Sequence, residues 1–158
     1  MKALILFLVI ISKIISSYSE DEDDVLELIN SSGYIGEFHQ IVTEDDYVVG
    51  VHRILARNQK IPKYPVLLMH GFLTTPMSFF ITSKKNSLPF MLANSGYDVF
   101  MGSRRGTKFS SNHRNFSSES KEFWDFTWHT IGMYDLKSMI DFTLETTNKT
   151  KCFYVGYS

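Results

Sequence analysis

The spacing of apolar and polar positions divides the first part of the chain into a helix and two extended segments. Apolar residues at 25, 26, 28 and 29 fall at helical spacing behind an acidic start, and Gly33 can end that helix. Residues 39–43 and 47–54 have an extended pattern and flank Glu44-Asp45-Asp46, which is typical of a turn. We therefore predict a helix followed by an antiparallel hairpin at the edge of a sheet.

From Pro65 onward, buried strands and helices alternate. Residues 66–69 are a continuous apolar run, which indicates a strand covered on both faces. Residues 97–101 are predicted as a second strand, and residues 152–155 as a third, buried strand. Residues 87–95, closed by Gly96, and residues 135–147, with Asp135 placed to cap, have helical patterns. This alternation predicts an α/β fold with a doubly wound, mostly parallel sheet that carries the hairpin at its edge.

The first nineteen residues have the pattern of a secretory signal peptide. Lys2 precedes the apolar run 3–11, and small residues surround a cleavage point at 17–19. Because Lys13 interrupts the apolar region, an uncleaved amphipathic anchor stays open as an alternative. The run is too short to cross a bilayer, and no later segment is long and apolar enough to do so. Residues 20–158 then form one domain.

Glycosylation signals agree with the secretory route to an extracellular or lysosomal destination. Asn30, Asn115 and Asn148 each begin an N-x-[ST] triplet without proline. Cys152 is the only cysteine, which excludes an internal disulfide and a cysteine-based zinc site. We expect it to be a buried small residue, although pairing with a cysteine outside this sequence is an alternative.

The charge balance argues against nucleic acid as a partner. The chain has 16 Lys and Arg residues against 17 Asp and Glu residues, and no basic stripe with interleaved aromatic residues. We expect Arg104-Arg105 to be a solvated pair, and Trp124 and Trp128, spaced i, i+4, to face the core. The sequence has no cluster of potential metal-binding residues, so we predict no metal site.

The residues that carry chemistry follow two of the predicted strands. Gly156-Tyr157-Ser158 directly follows a strand and matches the first half of a G-x-S-x-G nucleophile elbow. His70-Gly71-Phe72-Leu73 follows the strand at 66–69, where such folds supply one backbone N–H of the oxyanion hole. Ser158 is therefore the candidate nucleophile and the Phe72 N–H the candidate oxyanion donor.

At these residues the chain resembles the acid lipase family of gastric and lysosomal lipases. The resemblance covers nearly everything from Leu26 to Ser158, through short motifs in the same order. They include Val42-Thr43-Glu44-Asp45-Asp46-Tyr47, Val51-His52-Arg53-Ile54, His70-Gly71-Phe72-Leu73, Gly96-Tyr97-Asp98-Val99, Phe123-Trp124-Asp125-Phe126 and Tyr154-Val155-Gly156-Tyr157-Ser158. It implies an α/β-hydrolase fold and a serine hydrolase of neutral lipid esters at a lipid–water interface. It also implies a Ser-Asp-His triad, a lid and no cofactor.

Matched residue by residue, Ser158 stands at the family's nucleophile and Phe72 at its oxyanion leucine. The chain departs from the family in three places, which affect substrate preference rather than fold. Tyr157 replaces histidine, Gly102-Ser103-Arg104-Arg105-Gly106 replaces Gly-Asn-x-Arg-Gly, and His129-Thr130-Ile131 replaces Asp-Glu-Met.

The family's triad acid and base follow the serine in chain order. All five histidines, at 39, 52, 70, 113 and 129, precede Ser158, so we expect the 158 residues alone to be inactive and poorly stable. A histidine-first order, as other serine hydrolases use, is an alternative. Two other functions also stay open: a non-catalytic secreted protein that binds lipid or a partner, and a different α/β-hydrolase such as an esterase or peptidase.

Overall fold

A computed structural model describes residues 23–57, 63–81 and 86–158. The predicted signal peptide, residues 1–19, lies outside the described residues. The helices are α1 (Asp24–Ser31), α2 (Leu88–Asn94), α3 (Trp128–Thr130) and α4 (Lys137–Thr147), with 3₁₀ turns at Pro76–Phe80 and Glu122–Trp124 and a π-helical segment at Ile131–Leu136. The strands are β1 (Ile35–Val42), β2 (Tyr47–Leu55), β3 (Pro65–Met69), β4 (Asp98–Ser103), β5 (Asn112–His113) and β6 (Phe153–Gly156).

These strands form one mixed sheet in the order β1-β2-β4-β3-β6, with the short β5 paired to β2. The predicted hairpin is confirmed, because β1 and β2 are antiparallel and β1 lies at the edge. β2 and β4 are also antiparallel, whereas β3 is parallel to both β4 and β6. The parallel part of the sheet is thus β4-β3-β6, and its carboxyl ends meet at one edge.

Helices cover both faces of the sheet, as an α/β fold requires. On one face, α1, α2 and the first 3₁₀ turn bury a cluster that includes Ile29, Phe90 and the strand residues Val66 and Leu68. On the other face, Met139 of α4 packs with residues of the opposite pleat such as Leu67 and Phe100. Because side chains alternate along each strand, a single apolar run supplies both layers.

Local capping and turn residues set the ends of these elements. The Asp23 carboxylate accepts a hydrogen bond from the Leu26 N–H at 2.9 Å, which caps α1, and Gly33 follows this helix with a φ of +90°. In the hairpin turn Asp46 has a φ of +66°, a conformation that Asp tolerates better than most residues. Ser87 and Gly96 bracket α2 as predicted.

The helix predicted at 135–147 is confirmed as α4 (Lys137–Thr147), but two details of that prediction are wrong. The helical segment begins at Trp128 rather than near 135, because Thr127 and Thr130 form a reciprocal capping box. Asp135 does not cap a helix but lies fully buried in the π segment, where it accepts hydrogen bonds from Arg105. Arg105 is correspondingly 1% exposed, so its assignment to a solvated pair is also wrong.

The last strand is confirmed as a strand but not as a buried one. Phe153, Tyr154 and Val155 are 55%, 50% and 38% exposed, because β6 lies at the edge of the sheet beside β3. Cys152 is partly exposed rather than buried. Burial nevertheless raises the pKa of its thiol, which makes the thiolate a minor form at neutral pH.

Candidate active site

Three neighbouring parallel strands deliver the residues of the candidate site to one edge of the sheet. Met69 of β3 pairs with Gly102 of β4 and with Gly156 of β6. The residues that follow these positions therefore lie side by side, and they include His70, Arg104 and Ser158. The carboxyl ends of parallel strands are where open α/β sheets bind their ligands.

Ser158 follows β6 in a left-handed backbone conformation. Its φ is +64°, a value that non-glycine residues adopt rarely and that is often kept at functional sites. The loop after β3 approaches this turn closely, because a Cβ added to Gly71 would lie 2.9 Å from the Ser158 Cβ and 3.2 Å from the Tyr157 carbonyl oxygen. Glycine at position 71 is what permits this approach. The two predicted motifs therefore come together.

The peptide that joins Gly71 to Phe72 is held in a fixed orientation. The Gly71 carbonyl accepts hydrogen bonds from the Thr74 hydroxyl at 2.8 Å and from His70 Nδ1 at 2.9 Å. In a trans peptide the N–H points opposite to the carbonyl, so these two bonds also fix the direction of the Phe72 N–H. The sequence predicted that N–H as the oxyanion donor, and its orientation is preset.

His70 is the buried imidazole of the site. Burial lowers its pKa, and the charge of Arg104 lowers it further, although the bond to the Gly71 carbonyl acts in the opposite direction. The ring is therefore neutral at physiological pH. Since the Gly71 carbonyl takes the proton on Nδ1, Nε2 is an acceptor, and this buried atom has no hydrogen-bond partner among the described residues.

Tyr157 anchors the turn that carries Ser158. Its hydroxyl lies 2.6 Å from the Ser78 hydroxyl, and its ring meets Phe79 edge-on with a centroid separation of 5.5 Å. Both partners belong to the first 3₁₀ turn. The residue that departs from the family's histidine thus has a structural contact of its own, which the sequence did not indicate.

Around Ser158 the surface forms a cleft of about 370 Å³. Its wall combines the three strand ends with the helical segment that starts at Trp128. The lining residues are Met69, His70, Arg104, Trp128, Ile131, Gly132, Leu136, Tyr154, Gly156, Tyr157 and Ser158. Most of these side chains are apolar, which suits an aliphatic ligand.

Two residues of this cleft were assigned to other environments from the sequence. Trp128 is 60% exposed and Trp124 is 52% exposed, so the prediction that they face the core is wrong. Arg104 is 9% exposed, so it is not solvated as predicted. Its guanidinium carbon lies 5.4 Å from the Phe72 ring centroid and 5.2 Å from that of Trp128. Its position directly after β4, equivalent to that of His70 after β3, was the available signal.

Of the five histidines, all of which the structure describes, only His70 lines the cleft. His39 pairs with Glu37 at 3.0 Å and His52 with Asp23 at 2.7 Å, both in or beside the hairpin. His113 and His129 are also outside the lining residues. The histidine-first alternative therefore depends on His70, whose Nδ1 is engaged with a main-chain carbonyl.

The three asparagines of the glycosylation signals are all exposed. Asn30 Oδ1 accepts a hydrogen bond from the Gly36 N–H, and Asn115 Nδ2 donates one to Asp46 at 3.4 Å. Asn148 ends α4 with a φ of +51°. Among residues 23–57, 63–81 and 86–158, no helix is long and apolar enough to cross a membrane, and no three His, Cys, Asp or Glu side chains cluster as metal ligands would.

Comparison with protein families and known proteins agrees with the motifs. Residues 25–83 match the family model described as the partial alpha/beta-hydrolase lipase region. The chain is 42% identical over 132 residues to Lipase 1 of Drosophila melanogaster, which covers 84% of the chain and 29% of that protein. It is 38% identical over 139 residues to gastric triacylglycerol lipase of Mus musculus, which covers 85% of the chain and 35% of that protein. The chain thus spans about a third of the length of these relatives.

A solved structure supports the fold independently of the sequence. The chain superposes on an esterase of Pyrococcus furiosus with a TM-score of 0.58 at 15% identity. The superposition covers 81% of this chain and 42% of the esterase. At that identity the likeness concerns the fold alone, and the predicted α/β-hydrolase fold is confirmed.

Proposed function

Because this chain belongs to the acid lipase family and spans about a third of the length of its relatives, we propose that it carries the nucleophile of a carboxylic ester hydrolase. The substrates are neutral lipids, a triacylglycerol or a steryl ester, met at a lipid–water interface. Ser158 attacks the ester carbonyl, and the Phe72 N–H stabilises the oxyanion that forms. The observation that carries the proposal is the close approach of Gly71 to Ser158.

The arrangement suits acyl transfer for two physical reasons. A left-handed turn directly after a strand exposes the serine hydroxyl at the sheet edge, as a nucleophile elbow does. The Phe72 N–H is preset by the two hydrogen bonds to the Gly71 carbonyl, so no reorganisation is needed when charge develops. The apolar lining of the cleft accommodates the acyl chain.

The reaction also needs a general base, because a serine hydroxyl is a weak nucleophile at neutral pH. In this fold the acid and the histidine follow the serine in chain order. We propose that the active species is a product whose reading frame continues past codon 158 and supplies both residues. Sequencing the transcript beyond that codon tests this directly: a continuing frame with a glycine two residues after Ser158, then an Asp and a His, supports it, and a stop codon contradicts it.

The decisive variant is Ser158→Ala in the protein expressed from its full reading frame. We expect hydrolysis of a p-nitrophenyl ester to fall by at least about a thousandfold while the melting temperature stays within a few degrees. Ser111→Ala is the matched control, since this serine does not line the cleft. Turnover retained by Ser158→Ala would refute the assignment.

A second pair of variants tests the oxyanion role of Phe72. Phe72→Leu keeps the backbone N–H and should keep most of the activity toward a neutral ester, since the side chain does not contact the oxyanion. Phe72→Pro removes the N–H and should lower kcat by about a hundredfold or more. Equal activity of the two folded variants would place the oxyanion donor elsewhere.

We further propose that the protein follows the secretory route, as a signal peptide at residues 1–19 and glycans on Asn30, Asn115 and Asn148 would require. Exposure of all three asparagines supports modification. Expression in secreting cells should give protein in the medium or in lysosomes whose mobility increases after enzymatic removal of N-glycans. Unprocessed cytosolic protein would contradict this route.

An alternative function is a secreted, non-catalytic protein that binds lipid or a partner. The exposed aromatic side chains of Phe72, Trp128 and Tyr154 beside the cleft favour it. It requires a genuine stop after codon 158 and folded protein of that size, so the transcript experiment separates the two functions.

A further inference from the structure

The two successive arginines that follow β4 are both buried but differ in their hydrogen-bond and ion-pair partners. Arg105 donates to Asp45 and Asp135 at 2.6 to 2.8 Å, so its guanidinium is fully engaged with carboxylates. Arg104 is also nine-tenths buried, yet it has no ion pair or side-chain hydrogen bond with any residue that the structure describes. Its Nε is a buried donor that has no hydrogen-bond partner in the described part of the chain. A buried, unpaired cation is costly, so a native protein rarely keeps one without a use.

Asp135 does not form an ion pair with Arg104, although its negative charge acts on the Arg104 guanidinium. Burial lowers the pKa of the Arg104 guanidinium, and the charge of Asp135 only partly opposes that effect. Both oxygens of the Asp135 carboxylate already accept hydrogen bonds from Arg105. Within residues 23–57, 63–81 and 86–158, no carboxylate is therefore available to Arg104, and a ligand can supply one.

Aromatic contacts hold the Arg104 guanidinium at the cleft wall. The rings of Phe72 and Trp128 both lie within 5.4 Å of its central carbon and also meet each other edge-on. Such cation–π contacts orient the planar guanidinium and leave its hydrogen-bonding edge free. The side chain is thus held in place before a ligand arrives, which reduces the entropy lost on binding.

The surroundings of Arg104 favour an amphiphilic ligand. Met69, Ile131 and Leu136 line the same cleft and can contact an alkyl chain. His70 does not compete as an anion site, because burial keeps it neutral and its free Nε2 is an acceptor. Arg104 is therefore the cationic group beside an otherwise apolar surface.

We propose that Arg104 is an anion-binding residue of the Ser158 cleft, which holds the oxyanion of an aliphatic ligand, either a carboxylate or a phosphate. Such ligands include a free fatty acid and an acyl ester that carries a negative charge. The proposal rests on the proposed function in one respect, namely that this ligand shares the cleft with the reacting ester. Arg104 then acts as a specificity residue, and a fatty acid released in the cleft inhibits further turnover.

The test is a calorimetric binding measurement on the full reading frame with Ser158→Ala, so that no turnover occurs. Octanoate, octyl phosphate and neutral octanamide serve as probes. With Arg104 present, we expect at least one anion to bind at least about tenfold more tightly than octanamide, about 1.4 kcal/mol. Preference for octanoate alone assigns a carboxylate ligand, and preference for octyl phosphate alone assigns a phosphate.

Substitutions separate anion binding from a structural role of Arg104. Arg104→Gln should remove the preference for the anion while octanamide binds as before, and Arg104→Lys should keep part of it. Arg114→Gln is the matched control, because Arg114 is exposed and does not line the cleft. If Arg104→Gln does not fold, two measurements still test the proposal. They are the affinity for octanoate relative to octanamide with Arg104 present, and the anion preference that Arg104→Lys keeps.

Equal affinity for the anions and for octanamide when Arg104 is present would overturn the proposal, as would an unchanged preference in Arg104→Gln. These outcomes leave the proposed function intact, since ester hydrolysis by the Ser158 protein is measured separately. Conversely, anion preference in a protein that hydrolyses no ester would keep the Arg104 site and remove the hydrolase assignment.

Discussion

Asp45 and Asp135 bind the same guanidinium but differ in burial, which allows a prediction about stability. Asp135 is fully buried and accepts bonds from Arg105 Nε at 2.7 Å and from the Arg105 backbone N–H at 2.8 Å. The Asp45 side chain is 28% exposed and accepts two bonds from the terminal nitrogens. Burial lowers the pKa of Arg105, but the two carboxylates outweigh it and raise the pKa above its ordinary value. The arginine therefore stays charged.

Replacing Asp135 by alanine should destabilise the protein far more than replacing Asp45. The Asp135→Ala change leaves a buried cation half-paired and a buried N–H without its acceptor, and breaking such a pair costs about 3 to 5 kcal/mol. The Asp45→Ala change leaves a site that water can reach, so the loss should be about 1 to 2 kcal/mol. Because Asp135 lies in the segment that forms one wall of the Ser158 cleft, activity should fall with stability.

Urea unfolding of both variants, followed by circular dichroism in the protein expressed from its full reading frame, measures the two losses. The double variant Arg105→Met with Asp135→Leu should be more stable than Asp135→Ala alone, since it leaves no unpaired charge in the core. The reasoning is refuted if Asp45→Ala costs as much as Asp135→Ala, or if the double variant is the least stable of the three.

Three further outcomes are expected. Gly71→Ala should lower kcat/KM for ester hydrolysis by about a hundredfold with little change in melting temperature, because its Cβ would displace Ser158; unchanged kinetics would argue against the close approach. Burial raises the pKa of Asp45, but hydrogen bonds from Arg105 and Thr43 outweigh it, so the pKa lies below 3.8. The stability that the ionised Asp45 carboxylate contributes is complete above pH 3.8. It is lost as the pH falls through the lower pKa that Asp45 has in the folded protein. Urea midpoints between pH 5 and 2 should therefore fall less in Asp45→Asn than in the unaltered protein, and parallel curves would contradict this. The isolated 158-residue protein should aggregate through the exposed β6, and a reversible, cooperative melt with a monomeric sedimentation profile would disprove it.

The elements that were predicted correctly are those whose signal is local. The continuous apolar run at 66–69 marks a strand, and Ser87 and Gly96 mark the two ends of a short helix. β6 shows the limit of this reasoning. Its residues have the pattern of a covered strand, but their burial depends on segments that pack from elsewhere, and the pattern does not contain those contacts.

The residues of the candidate site also divide into those that a local sequence pattern indicates and those that depend on long-range contacts. Ser158 and Phe72 were predicted from a glycine spacing after a strand, which is a local signal with a mechanical cause, and their catalytic roles stay predictions. Arg105 and Asp135 are 30 residues apart in sequence, so the sequence pattern around either residue does not indicate the ion pair. The roles of Arg104 and Trp128 in the cleft depend equally on how β4 and the helix at 128 meet. Long-range contacts of this kind decide whether a charged residue is solvated or buried.

The backbone conformation of Asn148 decides which substitution should test the proposed glycosylation of this residue. This residue closes α4 in the left-handed conformation, which asparagine and glycine adopt at low cost and glutamine does not. A glutamine substitution would therefore combine loss of the sugar with a conformational penalty of about 1 kcal/mol, and any defect in secretion would have two causes. Asn148→Gly removes the attachment signal and keeps the helix end relaxed, so that a remaining defect reports on the carbohydrate alone.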